Sequence, residues 1–310
     1  MFLVSSAAIG AEPAAVEWRA MGTRVWLQVR GADAEAAAPA MAAAARAALE
    51  AVEAETSAFR ATSAVARVSA AAGSGEWIAV GSAFEASLDV ALDVAEKSGG
   101  AFNPLVAPLL EANGFPRGGA GGGAGAPGPA RLDPEGIERR PGACRLARAG
   151  MALDFGGVAK GVGADRAAAA ARAAGTNDFL LDVGGTLVGR GAWTVGVRDP
   201  RGGPDAPPLR AFTLADGMAA ATSGNYERFV EAADGARTGH LFDPRTGRPA
   251  DGGGALQATA LAPTAGEADA WSTALFVLGP EAGRAAIAAW PAAAGLWVTA
   301  AADGGVRLVR

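Results

Sequence analysis

The hydrophobic period of this chain switches repeatedly between two and three-to-four residues, and the order of the switches restricts the folds open to it. From Val16, "VEWRAMGTRVWLQVRG" alternates as a strand or hairpin does, and Ala32 to about Glu55 then predicts an alanine-dominated helix with charges spread along it. "EWIAV" (76–80) predicts a short strand, and "SAFEASLDVALDVAEKSGG" (82–100) carries apolar residues at helical spacing up to Gly99-Gly100. The second half alternates again. "VGADRAAAAARAAG", starting near Val162, predicts a helix, "FLLDVGG" and "WTVGVRD" strands, "EADAWSTALFVLG" a helix, and "GLWVTAA" and "VRLVR" closing strands. Hairpins mixed with crossovers favour an α+β fold with mixed, largely antiparallel sheets flanked by helices over a doubly wound one. No solenoid period is present.

Residues 117–130, "RGGAGGGAGAPGPA", combine little side-chain surface with a high ordering cost and predict a surface loop. The expected organisation is a single domain over 16–310 containing this loop, preceded by a disordered or residual export-signal segment over 1–15. That opening, "MFLVSSAAIGAEPAA", is apolar and ends in small residues, yet lacks a basic start and is too short to span a bilayer.

With 50% hydrophobic residues the chain can bury a sizeable core. The net charge of −5 and the lack of a recurring Lys/Arg block exclude the usual electrostatic footprint for nucleic acid. A lone cysteine, Cys144, excludes an internal disulfide, a zinc pair of thiolates and a dithiol redox motif.

Five patterns have chemical potential. "DFGG" (154–157) and "DVGG" (182–185) end apolar runs, where glycine pairs admit a ligand close to the backbone and the aspartates accept hydrogen bonds; taken alone, such motifs are more often tight turns. Lys160, just before the predicted helix, places a cation beside free helix N–H groups, a diphosphate clamp or else a solvated lysine. Asp269 and Thr273 lie four apart on a predicted helix, so their oxygens face one way and suit a hard cation such as Mg²⁺. Thr222, Ser223 and Gly224 form a turn able to bind phosphate, but without a G-x-S-x-G elbow and with one histidine a serine hydrolase is disfavoured. That histidine, His240, stands in "GHLFDPRTGRPA" beside Asp243 and Arg245, in a loop shaped by prolines and glycines.

Taken together and in order, "MGTRVWLQV", "TSAFRATSAVARVS", "AFNPLVAPLLEANGF", "LDFGGVAKGVGADRA", "LLDVGGTL", "WTVGVRDP", "ATSGNYERF", "GHLFDPRTGRPA" and "ADAWSTALFVLG" resemble the ApbE family of FAD:protein FMN transferases, over residues 18 to 281. The resemblance implies Mg²⁺-dependent transfer of FMN from FAD to a threonine or serine hydroxyl of an acceptor protein, with AMP leaving. Mg²⁺-dependent FAD hydrolysis to FMN and AMP, or non-catalytic FAD carriage, are the alternatives. By resemblance, Asp269, Thr273 and the carbonyl of Gly157 hold the metal, and Met21, Phe59, Ala101, Phe102, Asn103, Asp154 and Lys160 lie along the FAD site with Leu241 close by. His240 is implied in proton transfer at the reacting phosphate, with Asp243 orienting its imidazole. The chain departs from the family at Phe59, where tyrosine is frequent, at Asn103, where aspartate is usual, and at Gly157, where alanine or threonine is common. The implied location is periplasmic or exported, with membrane association only through an upstream lipid anchor and the cytoplasm as the alternative.

Overall fold

The computed structural model describes residues 3–4, 13–115, 128, 131–202, 206–225, 229–231, 237–290, 293–301 and 304–310. Most of the opening segment and of the glycine-rich stretch therefore lies outside the described residues.

The alternating stretch from Val16 is a hairpin. Its strands, β1 (Ala14–Ala20) and β2 (Thr23–Val29), are joined at Met21-Gly22, both at positive φ (51° and 70°), the pairing that suits a tight hairpin turn. Six further strands complete the main sheet: β3 (Phe179–Val183), β4 (Thr186–Arg190), β5 (Ala219–Gly224), β6 (Ala255–Ala262), β7 (Ala294–Ala300) and β8 (Val306–Val309). Their spatial order is β8-β7-β6-β5-β4-β3-β2-β1 and every neighbouring pair is antiparallel. The sheet is thus an eight-stranded meander in strict chain order. What the sequence presents as crossovers are helical excursions between antiparallel neighbours.

Among the described residues, six α-helices fill those excursions: α1 (Ala34–Thr56), α2 (Ala64–Ala70), α3 (Ser82–Lys97), α4 (Ala107–Ala112), α5 (Ala159–Ala174) and α6 (Ala265–Ala288). The first five lie between β2 and β3, and α6 lies between β6 and β7. A small sheet of Ile78–Ala79, Ala143–Leu146 and Ile137–Arg140 sits within the first excursion.

The period of two divides the sheet between two cores. Phe179, Leu181, Val183, Val188, Ala219 and Ala221 pack with α1, α5 and the start of α6. The alternate residues Leu180, Leu187, Ala220, Leu296 and Val298 pack beneath the hairpin of Trp193–Val197 and Arg210–Leu214. "WTVGVRD" is therefore a strand, as its pattern predicts, but belongs to this covering sheet rather than the main one. The third and largest core joins α2, α3, α6 and the segment before α5, with Phe84 edge-on to Phe155 at 5.2 Å and Trp271 fully buried. Each such large apolar side chain contributes about 1.5–3 kcal/mol on burial.

Two predicted helix limits shift. α5 begins at Ala159, so Lys160 lies inside its first turn rather than before it. α6 continues beyond Gly279, but that residue, at φ 71°, followed by Pro280, breaks the helix where the sequence pattern ends. No described helix is long and apolar enough to cross a membrane.

Candidate active site

A cavity of about 640 Å³ opens where the β1–β2 turn, the C-terminal end of α1, the 101–106 segment, the start of α5, the end of β5 and the 240–244 loop meet. Met21, Phe59, Ala101, Phe102, Asn103, Asp154, Gly157, Lys160, His240, Leu241 and Thr273 all line it. Residues separated by more than 250 positions in sequence therefore share one wall. Asp269 and Asp243 do not reach the cavity surface; Asp269 lies directly behind Lys160.

The floor is formed where α5 meets α6. A Cβ at Gly161 would lie 2.2 Å from the Ala265 carbonyl oxygen, so only glycine lets the helices approach this closely. Asp165 on α5 accepts the Ala265 and Gly266 N–H groups at 2.8 and 2.9 Å, and Thr264 caps Glu267 N at 3.2 Å, satisfying donors at the start of α6. Burial outweighs those hydrogen bonds and pushes the Asp165 carboxyl above the usual carboxylate range.

With α6 so anchored, Asp269 meets Lys160. The ammonium donates to Oδ1 at 3.0 Å, to Oδ2 at 3.3 Å and to the Gly156 carbonyl at 3.2 Å. Oδ2 also accepts Gly161 N at 3.0 Å, and Thr186 Oγ1 lies 3.4 Å from Oδ1. One turn on, Thr273 Oγ1 is 3.1 Å from Ser223 Oγ, which also pairs with Ser272 at 2.8 Å. A Cβ on Gly157 would lie 3.1 Å from Thr273 Oγ1, which puts the "DFGG" turn against the same hydroxyl.

This corner suits a hard divalent cation. A buried carboxylate, a threonine hydroxyl and a turn backbone are oxygen donors of the type Mg²⁺ accepts, although Lys160 already supplies the enclosed carboxylate with a positive partner. Among the described residues no three His, Cys, Asp or Glu converge, so such a cation would rest on one carboxylate plus neutral oxygens.

The two Asp-x-Gly-Gly motifs differ in construction. Asp154 Oδ1 accepts Gly156 N and Asp182 Oδ1 accepts Gly185 N, each at 2.7 Å, but only Gly184 and Gly185 need positive φ (59° and 88°). Asn103 uses both ends of its amide on the backbone, donating to Leu132 O at 2.7 Å and accepting Leu105 N at 2.8 Å. Phe59 presents a ring 60% exposed at the cavity mouth, beside the Arg60–Glu53 ion pair. Glu53 also accepts the N–H of Met21, a non-glycine residue held at positive φ.

The histidine loop is held from two sides. Asn225 accepts Leu241 N at 3.1 Å and donates to Ala250 O at 2.9 Å, while Phe242 packs on Leu109 and Leu110 of α4 and edge-on to Phe115. Asp243 departs from the expectation that it orients His240. Its Oδ1 accepts Arg245 N and Nε, and its Oδ2 accepts Arg245 Nη2, which commits the carboxylate to shaping the turn. Ser223, Glu53, Asn225 and Asp165 were not singled out as site residues from sequence. Ser223 alone had a signal, the Thr-Ser-Gly stretch, but this is the end of β5 paired to β6 rather than the expected turn; the other three act on backbone groups that only the folded chain brings near.

The chain matches the model of the ApbE family over residues 21–296. It is 36% identical to the FAD:protein FMN transferase of Treponema pallidum, the match covering 78% of this chain and 72% of that one. It is 32% identical to a Klebsiella pneumoniae FAD:protein FMN transferase, covering 89% and 83% respectively. The crystal structure of the Thermotoga maritima ApbE protein superimposes with a TM-score of 0.80 at 28% identity, covering 96% of this chain and 97% of that one. Family model, relatives and fold agree with one another, and this chain belongs to the ApbE family.

Proposed function

We propose that this chain is an FAD:protein FMN transferase that uses Mg²⁺ and attaches FMN to a threonine or serine hydroxyl of an acceptor protein. The observation that carries this reading is the corner where Lys160, Asp269, Thr273 and the "DFGG" turn meet on the wall that also bears His240. Asp269, Thr273 and the Gly157 carbonyl would hold the cation, which when bound neutralises phosphate charge as a Lewis acid. Lys160, reachable from the cavity, binds a diphosphate oxygen and stabilises charge on the leaving AMP. Phe59 offers a face for ring stacking at the cavity mouth.

The acceptor hydroxyl oxygen forms a bond to the FMN phosphorus as the bond from that phosphorus to the anhydride oxygen breaks, releasing AMP. His240 takes the hydroxyl proton; Asn225 positions the loop that presents it. Electrons and charge balance without an oxidant or reductant. Incubating the protein with FAD, Mg²⁺ and a threonine-bearing acceptor domain, followed by mass spectrometry, is expected to give a covalent FMN adduct. Free FMN and AMP with no adduct would assign hydrolysis instead. The composition of the opening stretch supports an exported location, which fractionation of expressing cells tests.

A further inference from the structure

We infer that Lys160 is a built-in surrogate cation that excludes the metal until a dinucleotide arrives, so that binding of metal and of FAD is coupled through one side chain. The inference rests on the proposed cation site and adds a control to it. All three ammonium donors have an oxygen within reach: Asp269 Oδ1 at 3.0 Å, Oδ2 at 3.3 Å and Gly156 O at 3.2 Å. Two of these oxygens belong to the carboxylate that the metal needs, and the third to the turn that offers Gly157.

Burial sets the order of events. The Asp269 side chain is 5% exposed, whereas that of Lys160 is 27% exposed and lines the cavity. A metal approaching through the cavity meets the ammonium before the carboxylate, and two positive charges cannot share the same oxygens without repulsion. A diphosphate in the cavity gives the ammonium a second anionic partner, and rotation of the flexible lysine stem towards it frees the carboxylate. By linkage, FAD then tightens metal binding and the metal tightens FAD binding by the same factor. The remaining partners of Asp269, Gly161 N and Thr186 Oγ1, hold the carboxylate in place while the cations exchange.

The test is calorimetric titration of Mg²⁺ into wild type, Lys160→Met, Lys160→Gln and Asp269→Asn, each with and without FAD and without acceptor. In wild type, FAD is expected to tighten Mg²⁺ at least tenfold. Without FAD, Lys160→Met and Lys160→Gln are expected to bind Mg²⁺ at least tenfold more tightly than wild type, with an FAD effect smaller than in wild type, the remainder coming from direct contact of metal and diphosphate. Lys160→Gln retains a neutral donor for the carboxylate and keeps the comparison available if the methionine variant fails to fold. Thermal melting supplies a second readout: Mg²⁺ alone should raise the Tm of Lys160→Gln more than that of wild type. Equal Mg²⁺ affinity in wild type and both Lys160 variants, with Asp269→Asn weakened, would overturn the surrogate while leaving the cation site standing. No Mg²⁺ binding by any of the proteins, with or without FAD, would overturn the cation site and the surrogate together.

Discussion

Asn103 shows at the scale of one residue why a departure from a family pattern need not be a loss. Its amide bridges Leu132 O and Leu105 N, and a carboxylate in the same place accepts from Leu105 but repels the Leu132 carbonyl. Asn103→Asp is therefore expected to destabilise the protein by about 1–3 kcal/mol, read as a fall in urea midpoint, because a buried acceptor loses its donor. Unchanged stability would assign the amide no such bridge. Cys144 is a second case. Burial pushes its thiol up to about 11 against a smaller opposing pull from Arg139, so almost none of it is thiolate near neutrality. A disulfide reagent at about pH 8 should leave the native protein unlabelled and react once it is unfolded in denaturant. Neither property was legible in the sequence, because both depend on neighbours remote along the chain.

Between elements, the contact of α5 with α6 determines whether the site assembles. Gly161→Ala would drive a methyl into the Ala265 carbonyl, and overpacking of this kind costs about 1–3 kcal/mol. The expected signature is a lower Tm together with weaker Mg²⁺ binding, since Lys160 and Asp269 sit on the two helices that must separate. Asp165, which caps α6 from α5, gives this contact a pH dependence. Its folded pKa is raised, so the native state holds the proton more tightly than the unfolded chain does, and its contribution to stability is largest in acid. That contribution is lost as the pH rises through the elevated value. The stability advantage of wild type over Asp165→Asn, from urea unfolding, should thus be greater near pH 4 than near pH 8, taking about 4 as the ordinary carboxylate range. An advantage that grows with pH would contradict the assigned cause. The sequence revealed both helices but placed the start of α5 three residues late, since Ala159-Lys160-Gly161 has weak periodicity and its helical state is fixed by packing on α6.

Across the whole molecule, the strand patterns foretold the α+β class and five of the eight described strands of the meander, β1, β2, β3, β7 and β8; the short β4 and the alanine-rich β5 and β6 carry too weak an alternation to be read as strands. The patterns did not reveal that the sheet runs in strict order, because pairing partners are a property of the folded chain, and long helical excursions look like crossovers in one dimension. Asp154, Gly157, Lys160, His240 and Thr273, which the resemblance groups at one site, line one cavity of the folded chain. Spacing alone could not show that Asp269 is screened by Lys160 or that Asp243 is engaged by Arg245, since charge pairing is decided by side-chain geometry. The central claim is that one corner of one cavity seats a divalent cation beside the phosphates of FAD. It is tested most directly by anomalous diffraction from crystals of the protein grown with FAD and Mn²⁺ in place of Mg²⁺. A manganese peak is expected bounded by Asp269, Thr273 and the Gly157 carbonyl, with the diphosphate against it and Lys160 turned to a phosphate oxygen. Ordered FAD in the cavity with no metal at that corner would contradict it.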